Sequence, residues 1–254
     1  MKIVTFNLNS WMPVKKMPYR NRITTLAQHI KEKYGDDLPE VIALQEVIAG
    51  RDGKNLDELD KAFDGCYRVC GPMGDAFDYT KHSRSIINVT LCKADYKPGI
   101  LMSPASVLPN RFIINEYNGI GIINVHVPQV ANLSGKAGWY IRERRRLRRI
   151  FWHQLIKFAG AVRDDYTDII IVGDLQEGSD GTHIAKLKKL GFTEPVEGVP
   201  TVDGSFFREH CIDHILLSSD PGDFGTGTGT GSLEVDSTLT KSGLSDHHML
   251  CLNI

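Results

Sequence analysis

Short, apolar, β-branched runs recur along the chain, at residues 2–6, 41–44, 85–92, 119–127, 168–172, 211–217 and 248–254. Each has the length of a strand, and several stop on a polar residue. Between them lie helical patterns. Residues 20–34 set Ile23, Leu26, Ala27 and Ile30 three and four apart, and residues 136–163 do the same with Leu147, Ile150, Phe151, Leu155, Phe158 and Val162. A third helix is expected over 179–190, stopped by Gly191. Some strands are apolar throughout, as strands buried on both faces are, while others alternate as half-exposed strands do. With a strand-rich, nearly helix-free last quarter, the pattern predicts an α/β protein built as a mixed two-sheet sandwich covered by helices. No stretch reads as a linker, so residues 1–254 are expected to form a single domain.

Composition changes this picture little. Hydrophobic content of 41% and charged content of 24% are ordinary for a globular chain, and a net charge of −1 gives no global pull toward nucleic acid or membrane, so any polyanion binding must be local. The first residues, MKIVTFNLNSW, carry too short an apolar run for a secretory signal. No later run approaches the ~20 apolar residues of a membrane span, and a cytoplasmic location is expected. Cys66, Cys70, Cys92, Cys211 and Cys251 are odd in number and lack CxxC pairs, which reads as buried free thiols rather than a disulfide or zinc framework. Residues 222–235, GDFGTGTGTGSLEV, read as a surface loop, or as a flap whose backbone amides face a phosphate.

The informative positions are the polar residues at strand ends, where a rigid scaffold holds them. Asn7 closes the first run, Gln45 and Glu46 the second, and Asn124 and His126 lie in IINVHVPQ. Asp174 and Gln176 follow IIIVG, Asp213 opens CIDHILLS, and Ser245, Asp246 and His247 precede the last strand. Each alone has a plain reading: a turn-forming Asn or Asp, a capping Glu, a satisfied His. Together, carboxylates, amides and histidines without a cysteine cluster suit a hard cation held by oxygen ligands and a phosphate to be neutralised.

The blocks TFNLNSW, LQEV, NVHVP, VGDLQ, CIDHILLS and LSDHH, in this order, resemble the signature blocks of the endonuclease/exonuclease/phosphatase superfamily, to which deoxyribonuclease I, exonuclease III and the inositol polyphosphate 5-phosphatases belong. The resemblance runs from residue 3 to residue 254. It implies a four-layer α/β sandwich, two mixed β-sheets packed face to face with helices outside, and cleavage of phosphate esters by water with Mg2+, for which Mn2+ can substitute. By the same resemblance Glu46, Asn7 and Asp246 are metal ligands, Asp174 positions or deprotonates the attacking water, and His247, paired with Asp213, contacts the scissile phosphate. His126 is a donor to phosphate oxygen, and Asn124 orients it. The chain departs from the pattern at Gln176, where the block normally carries Asn. The longer amide does the same work, marks a different substrate, or accompanies loss of hydrolysis.

The stretch IRERRRLRR, residues 141–149, bears on the substrate. On a helix Arg142, Arg145, Arg146 and Arg149 share one face, which is either solvated or tracks a nucleic-acid backbone. Trp139 and Tyr140 stand ready to stack on bases, while Trp152 adjoins the apolar face and reads as core. The phosphoinositide phosphatases of the superfamily carry Trp-x-Asp-Arg at the Asp213 block, where this chain has Cys211-Ile-Asp-His214. An intracellular nuclease with a nucleic-acid substrate, DNA favoured, no membrane and no obligate protein partner is therefore expected. A phosphomonoesterase and an inactive nucleic-acid-binding member of the fold are the alternatives.

Overall fold

The computed structural model describes residues 1–9, 18–50, 53–72, 86–93, 100–101, 105–130, 135–202, 211–219 and 231–254. Eleven strands, β1 Lys2–Asn7, β2 Val41–Ile48, β3 Tyr67–Cys70, β4 Ile86–Lys93, β5 Ile100–Leu101, β6 Phe112–Tyr117, β7 Ile120–His126, β8 Asp168–Asp174, β9 Asp213–Leu217, β10 Ser232–Asp236 and β11 Met249–Asn253, are described. They form two mixed sheets, ordered β10-β11-β1-β2-β4-β3 and β5-β6-β7-β8-β9. The described helices are α1 Tyr19–Tyr34, α2 Lys54–Ala62, α3 Gly138–Ala161, α4 Thr182–Lys189 and the short α5 Thr238–Ser242. None is long and apolar enough to cross a membrane.

Alternation within each strand makes the layers. In β8, Ile169 and Ile171 face Phe151, Trp152 and Leu155 of α3, while Ile170 and Val172 face the other sheet. In β1, Val4 and Phe6 pack on Ile23, Leu26 and Ile30 of α1, while Ile3 joins Val41, Ile122, Ile170 and Leu252 between the sheets. The result is four layers, helix–sheet–sheet–helix, with apolar cores in all three gaps. This is the expected sandwich.

The space between the sheets changes character toward one end. There the filling is polar: Thr5, Gln45, Asn88, Thr90 and Asn124 are all essentially inaccessible. Gln45 Nε2 donates to Asn124 Oδ1 (2.9 Å), Asn124 Nδ2 donates to the Val89 carbonyl (3.0 Å), and Asn88 Nδ2 donates to the Asn124 carbonyl (3.2 Å). These bonds join β2 and β4 of one sheet to β7 of the other, just behind the strand ends. Gly173 is required beside them. It has φ 127°, and a Cβ there would lie 2.1 Å from the Val125 carbonyl oxygen and 3.1 Å from Gln45 Nε2.

Several sequence expectations need correction. The strand β6 escaped the apolar pattern, although Asn118 and Gly119, both at positive φ (51° and 80°), turn it into β7 as an Asn-Gly hairpin. Helices α2 and α5 and strands β3 and β5 were also missed. Residues 222–230 lie outside the described residues, and 232–235 belong to edge strand β10 rather than a loop. All five cysteines are free, but Cys66 is exposed and Cys211 only half-buried. Gly173→Ala is expected to lower unfolding free energy by about 3 kcal/mol, since it combines a strained φ with backbone overlap. Urea denaturation checks this, and an unchanged midpoint would show that the strand end can relax.

Candidate active site

Three neighbouring strands of the second sheet end in a row of chemistry-bearing residues. His126 of β7 stands opposite Asp174 of β8, which stands opposite Asp213 of β9. In the first sheet the pairing of β1 with β2 stops at Asn7 opposite Gln45. The next residue, Glu46, takes a left-handed conformation (φ 54°) where pairing of β2 with β4 slips between Leu44 and Val47. Such a bulge turns a side chain out of the ladder. The segment entering β11 is tied to β1 through Ser245, whose Oγ donates to the Asn7 carbonyl (2.7 Å) and accepts from the His247 N–H (3.1 Å).

The side chains from these ends meet. Asn7 Nδ2 donates to Asp174 Oδ2 (3.0 Å), and Asn7 Oδ1 accepts from the Asn9 N–H (2.9 Å). Asn9 Nδ2 in turn donates to Asp246 Oδ1 (2.6 Å), which lies 3.6 Å from His247 Nε2. His247 Nδ1 is bonded to Asp213 Oδ2 (2.9 Å). On the other side His126 Nε2 is 3.6 Å from Glu46 Oε1, 3.7 Å from Asp174 Oδ2 and 3.5 Å from Arg111 Nη1.

Their environments separate their protonation behaviour. Burial raises the Asp174 carboxyl well above the usual carboxylate range, and the charges of Asp213 and Glu46 add to this, while His247 and the Gln176 amide oppose it. Burial pulls the His247 imidazole down, but the Asp213 charge and hydrogen bond, helped by Asp174 and Asp246, outweigh it and lift the group to about 10. His126 is held well below the ordinary imidazole value, by burial first and then by Arg111, His247 and Arg144. At neutral pH the site therefore pairs a cationic imidazole with a neutral one.

Gln176, also at positive φ (54°), folds back on Asp174: its Nε2 donates to Oδ2 (2.8 Å) and its N–H to Oδ1 (3.0 Å). Asn124 is not in the cleft; its amide is spent between the sheets, so its connection to His126 is through the strand they share. Arg142, Arg145, Arg146 and Arg149 are exposed along α3, Arg146 pairing with Glu143. Trp152 is core, and Trp139 is 67% exposed. Sequence reasoning missed the arginines nearest the centre. Arg111 precedes β6, and Arg144 and Arg148 lie on the inner side of α3, where Arg148 stands three and four residues before the buried Phe151 and Trp152. That spacing was the available signal.

A hard divalent cation fits the donors present. Carboxylate and amide oxygens predominate, Asp213 Oδ1 is a buried acceptor without a hydrogen-bond partner among the described residues, and the charges of Asp213 and Glu46 push the Asp174 carboxyl up beyond what burial alone does. Kept cationic, the His247 ring offers no lone pair to a metal, although it, Asp174 and Asp213 bring donor atoms within 4.8 Å of one another. The residues Glu194, Cys211 and His214 do so too. There His214 Nδ1 lies 2.5 Å from Glu194 Oε1 and its Nε2 2.6 Å from the Glu177 carbonyl oxygen, and Lys188 Nζ lies 3.0 Å from Glu194. With both ring nitrogens in contact with protein oxygens and Glu194 paired with Lys188, that group is a hydrogen-bonded network around an ion pair.

No protein-family model and no curated sequence matches the chain. Solved structures do. An AP endonuclease from Archaeoglobus fulgidus aligns with a TM-score of 0.70 at 17% identity, covering 100% of this chain and 99% of that one. A 3′-5′ exonuclease from Neisseria meningitidis gives 0.68 at 17% identity, with the same coverage of 100% and 99%. A second structure of that Neisseria protein, a variant described as a 3′ phosphatase and bound to product DNA hairpin, gives 0.66 at 16%, again covering 100% and 99%. The fold is thus that of the exonuclease-III-like endonuclease/exonuclease/phosphatase proteins.

The His247–Asp213 pair sets a pH dependence in metal-free protein. A folded-state value raised above 6.5 contributes stability that is complete below that pH and is lost as pH rises through about 10. Ring 15N shifts are expected to report a protonated His247 through pH 8, as the value of about 10 requires, and a titration moved toward neutrality in Asp213→Asn. A wild-type ring titrating near neutrality would contradict the pairing.

Proposed function

We propose that the chain is a divalent-cation-dependent phosphoesterase, an intracellular nuclease that hydrolyses phosphodiester bonds, with DNA as the favoured substrate and Mg2+ or Mn2+ as the cation. The observation that carries this is the joining of both sheets' ends into one set, Asn7 on Asp174 and His247 on Asp213, with Glu46 and His126 alongside. The fold supports it, as do the activities named for the similar structures, an AP endonuclease and a 3′-5′ exonuclease.

Glu46, Asn7 and Asp246 are the residues that would hold the cation, which when bound supplies Lewis-acid polarisation of the phosphate and charge stabilisation at the leaving oxygen. Asp174 takes the proton of the attacking water. Its raised carboxyl makes it a better base than an exposed aspartate, and the amides of Asn7 and Gln176 fix its orientation. His247, kept cationic by Asp213, donates to a phosphate oxygen and opposes the growing negative charge. His126 stays neutral beside Arg111 and hydrogen-bonds the phosphate from the opposite side. The exposed Arg142, Arg145, Arg146 and Arg149 follow the flanking backbone, and Trp139 and Tyr140 offer stacking faces.

A panel of single-stranded DNA, duplex DNA, abasic duplex and RNA, incubated with Mg2+ or Mn2+, tests this. Cleavage of DNA, its arrest by chelator and its loss in Glu46→Ala and His247→Ala are the expected results. Salt-dependent binding without cleavage under any divalent ion would instead mark an inactive binding member of the fold. The phosphatase named among the similar structures supports a second reading, a phosphomonoesterase. Phosphate release from a 3′-phosphorylated oligonucleotide, with every internal bond intact, would favour it.

A further inference from the structure

We propose that Arg148 is a positioning residue for this site: it clamps the backbone beyond β7 to the backbone beyond β8 and so holds Gln176 in the conformation that grips Asp174. The inference rests on the phosphodiesterase reading above. Arg148 Nη1 donates to the Pro128 carbonyl (3.2 Å) and Nη2 to the Gln176 carbonyl (2.8 Å). Pro128 lies two residues past His126 and Gln176 two past Asp174, and His126 and Asp174 are register partners. The two strands stay joined as far as the bond from the Val127 N–H to the Asp174 carbonyl (2.8 Å). Beyond it, Arg148 bridges the two departing chains.

The bridge matters because Gln176 is strained. A residue with a side chain holds φ 54° only where its surroundings over-determine it. Here the Gln176 N–H is bound to Asp174 Oδ1, its amide to Asp174 Oδ2, and its carbonyl to Arg148. If the carbonyl is released, the residue is free to leave the left-handed region and take both Asp174 contacts with it. A planar, forked guanidinium can serve two carbonyls in fixed directions, which an ammonium cannot.

Arg148 is also unsuited to be a substrate contact. Its side chain is 15% exposed against 56% for Arg146, and Glu177 Oε2, 3.4 Å away, balances its charge. Glu177 is itself pinned by the His183 N–H (2.6 Å) and ring (2.7 Å) at the start of α4. One turn earlier Arg144 holds the Gln129 carbonyl through Nη2 (3.1 Å). The arginine-rich helix therefore divides into an inner pair that fixes loop backbone and an outer set that faces solvent.

The test is steady-state kinetics on the best-cleaved oligonucleotide for wild type, Arg148→Met, Arg148→Lys and Arg145→Ala, together with amide hydrogen exchange at Gln176. For Arg148→Met, kcat is expected to fall about 100-fold, the penalty of a slightly misplaced catalytic group, with KM little changed. Gln176 exchange accelerates in the same variant. Arg148→Lys, which can reach one carbonyl, recovers part of kcat and carries the test if Arg148→Met does not fold. Arg145→Ala raises KM at unchanged kcat. A raised KM with normal kcat in the Arg148 variants would overturn the proposal by making Arg148 a substrate contact, and unchanged kinetics would overturn it outright. If the wild type cleaves nothing, the phosphodiesterase reading fails while exchange still decides the clamp: faster Gln176 exchange upholds it, unchanged exchange refutes it.

Discussion

The architecture turns on a cluster of buried amides between the two sheets. Asn124, Gln45 and Asn88, all inaccessible from the surface, exchange hydrogen bonds with one another and with strand carbonyls. Apolar side chains fill the rest of the gap, and they set the separation of the sheets without fixing how far one slides along the other. The amides do fix it, because a shift would leave buried donors and acceptors unpaired at about 1–3 kcal/mol each. That precision is needed at this end only, since the residues of the candidate site come from the ends of both sheets.

The same register explains how carboxylates come to be crowded. His126, Asp174 and Asp213 are level on adjacent strands, and Asn7 reaches Asp174 from the other sheet. Hydrogen bonds from Asn7, Asn9 and Gln176 orient the acids, and the His247 cation offsets part of their charge. Backbone strain is present here as well: Asn9, Glu46 and Gln176 all have positive φ. Glu46 is turned out of its ladder by a bulge, and Gln176 is held by its bonds to Asp174 and Arg148. The fold stores these conformations because rigid strands stand immediately behind them.

Much of this was legible in the sequence. Continuous apolar runs such as DIIIVGD located the central strands, and the order of polar blocks at their ends pointed to the fold. What escaped was local or tertiary. Strand β6 carries Asn115 and Glu116 and lacks a clean period, so its hairpin signal at Asn118-Gly119 went unread. Asn124 reads as a site residue because it is polar and close to His126, yet strand alternation turns it into the gap between the sheets. Gln176 differs from the usual Asn by one methylene, and its turn back onto Asp174 follows from a backbone conformation that no periodicity encodes. The arginines of α3 look alike in sequence. Only the position of the buried stripe Phe151, Trp152 and Leu155 separates Arg148 from its exposed neighbours.

The central claim is that strand ends from both sheets make one hydrolytic cation site. It is tested most directly by titrating Mn2+ into wild type and Glu46→Gln by electron paramagnetic resonance while following cleavage of a labelled oligonucleotide in the same samples. The account predicts that cleavage saturates at the Mn2+ concentration that fills the site and that Glu46→Gln loses both together. Unaltered Mn2+ binding in Glu46→Gln, or cleavage that persists without bound cation, would contradict it.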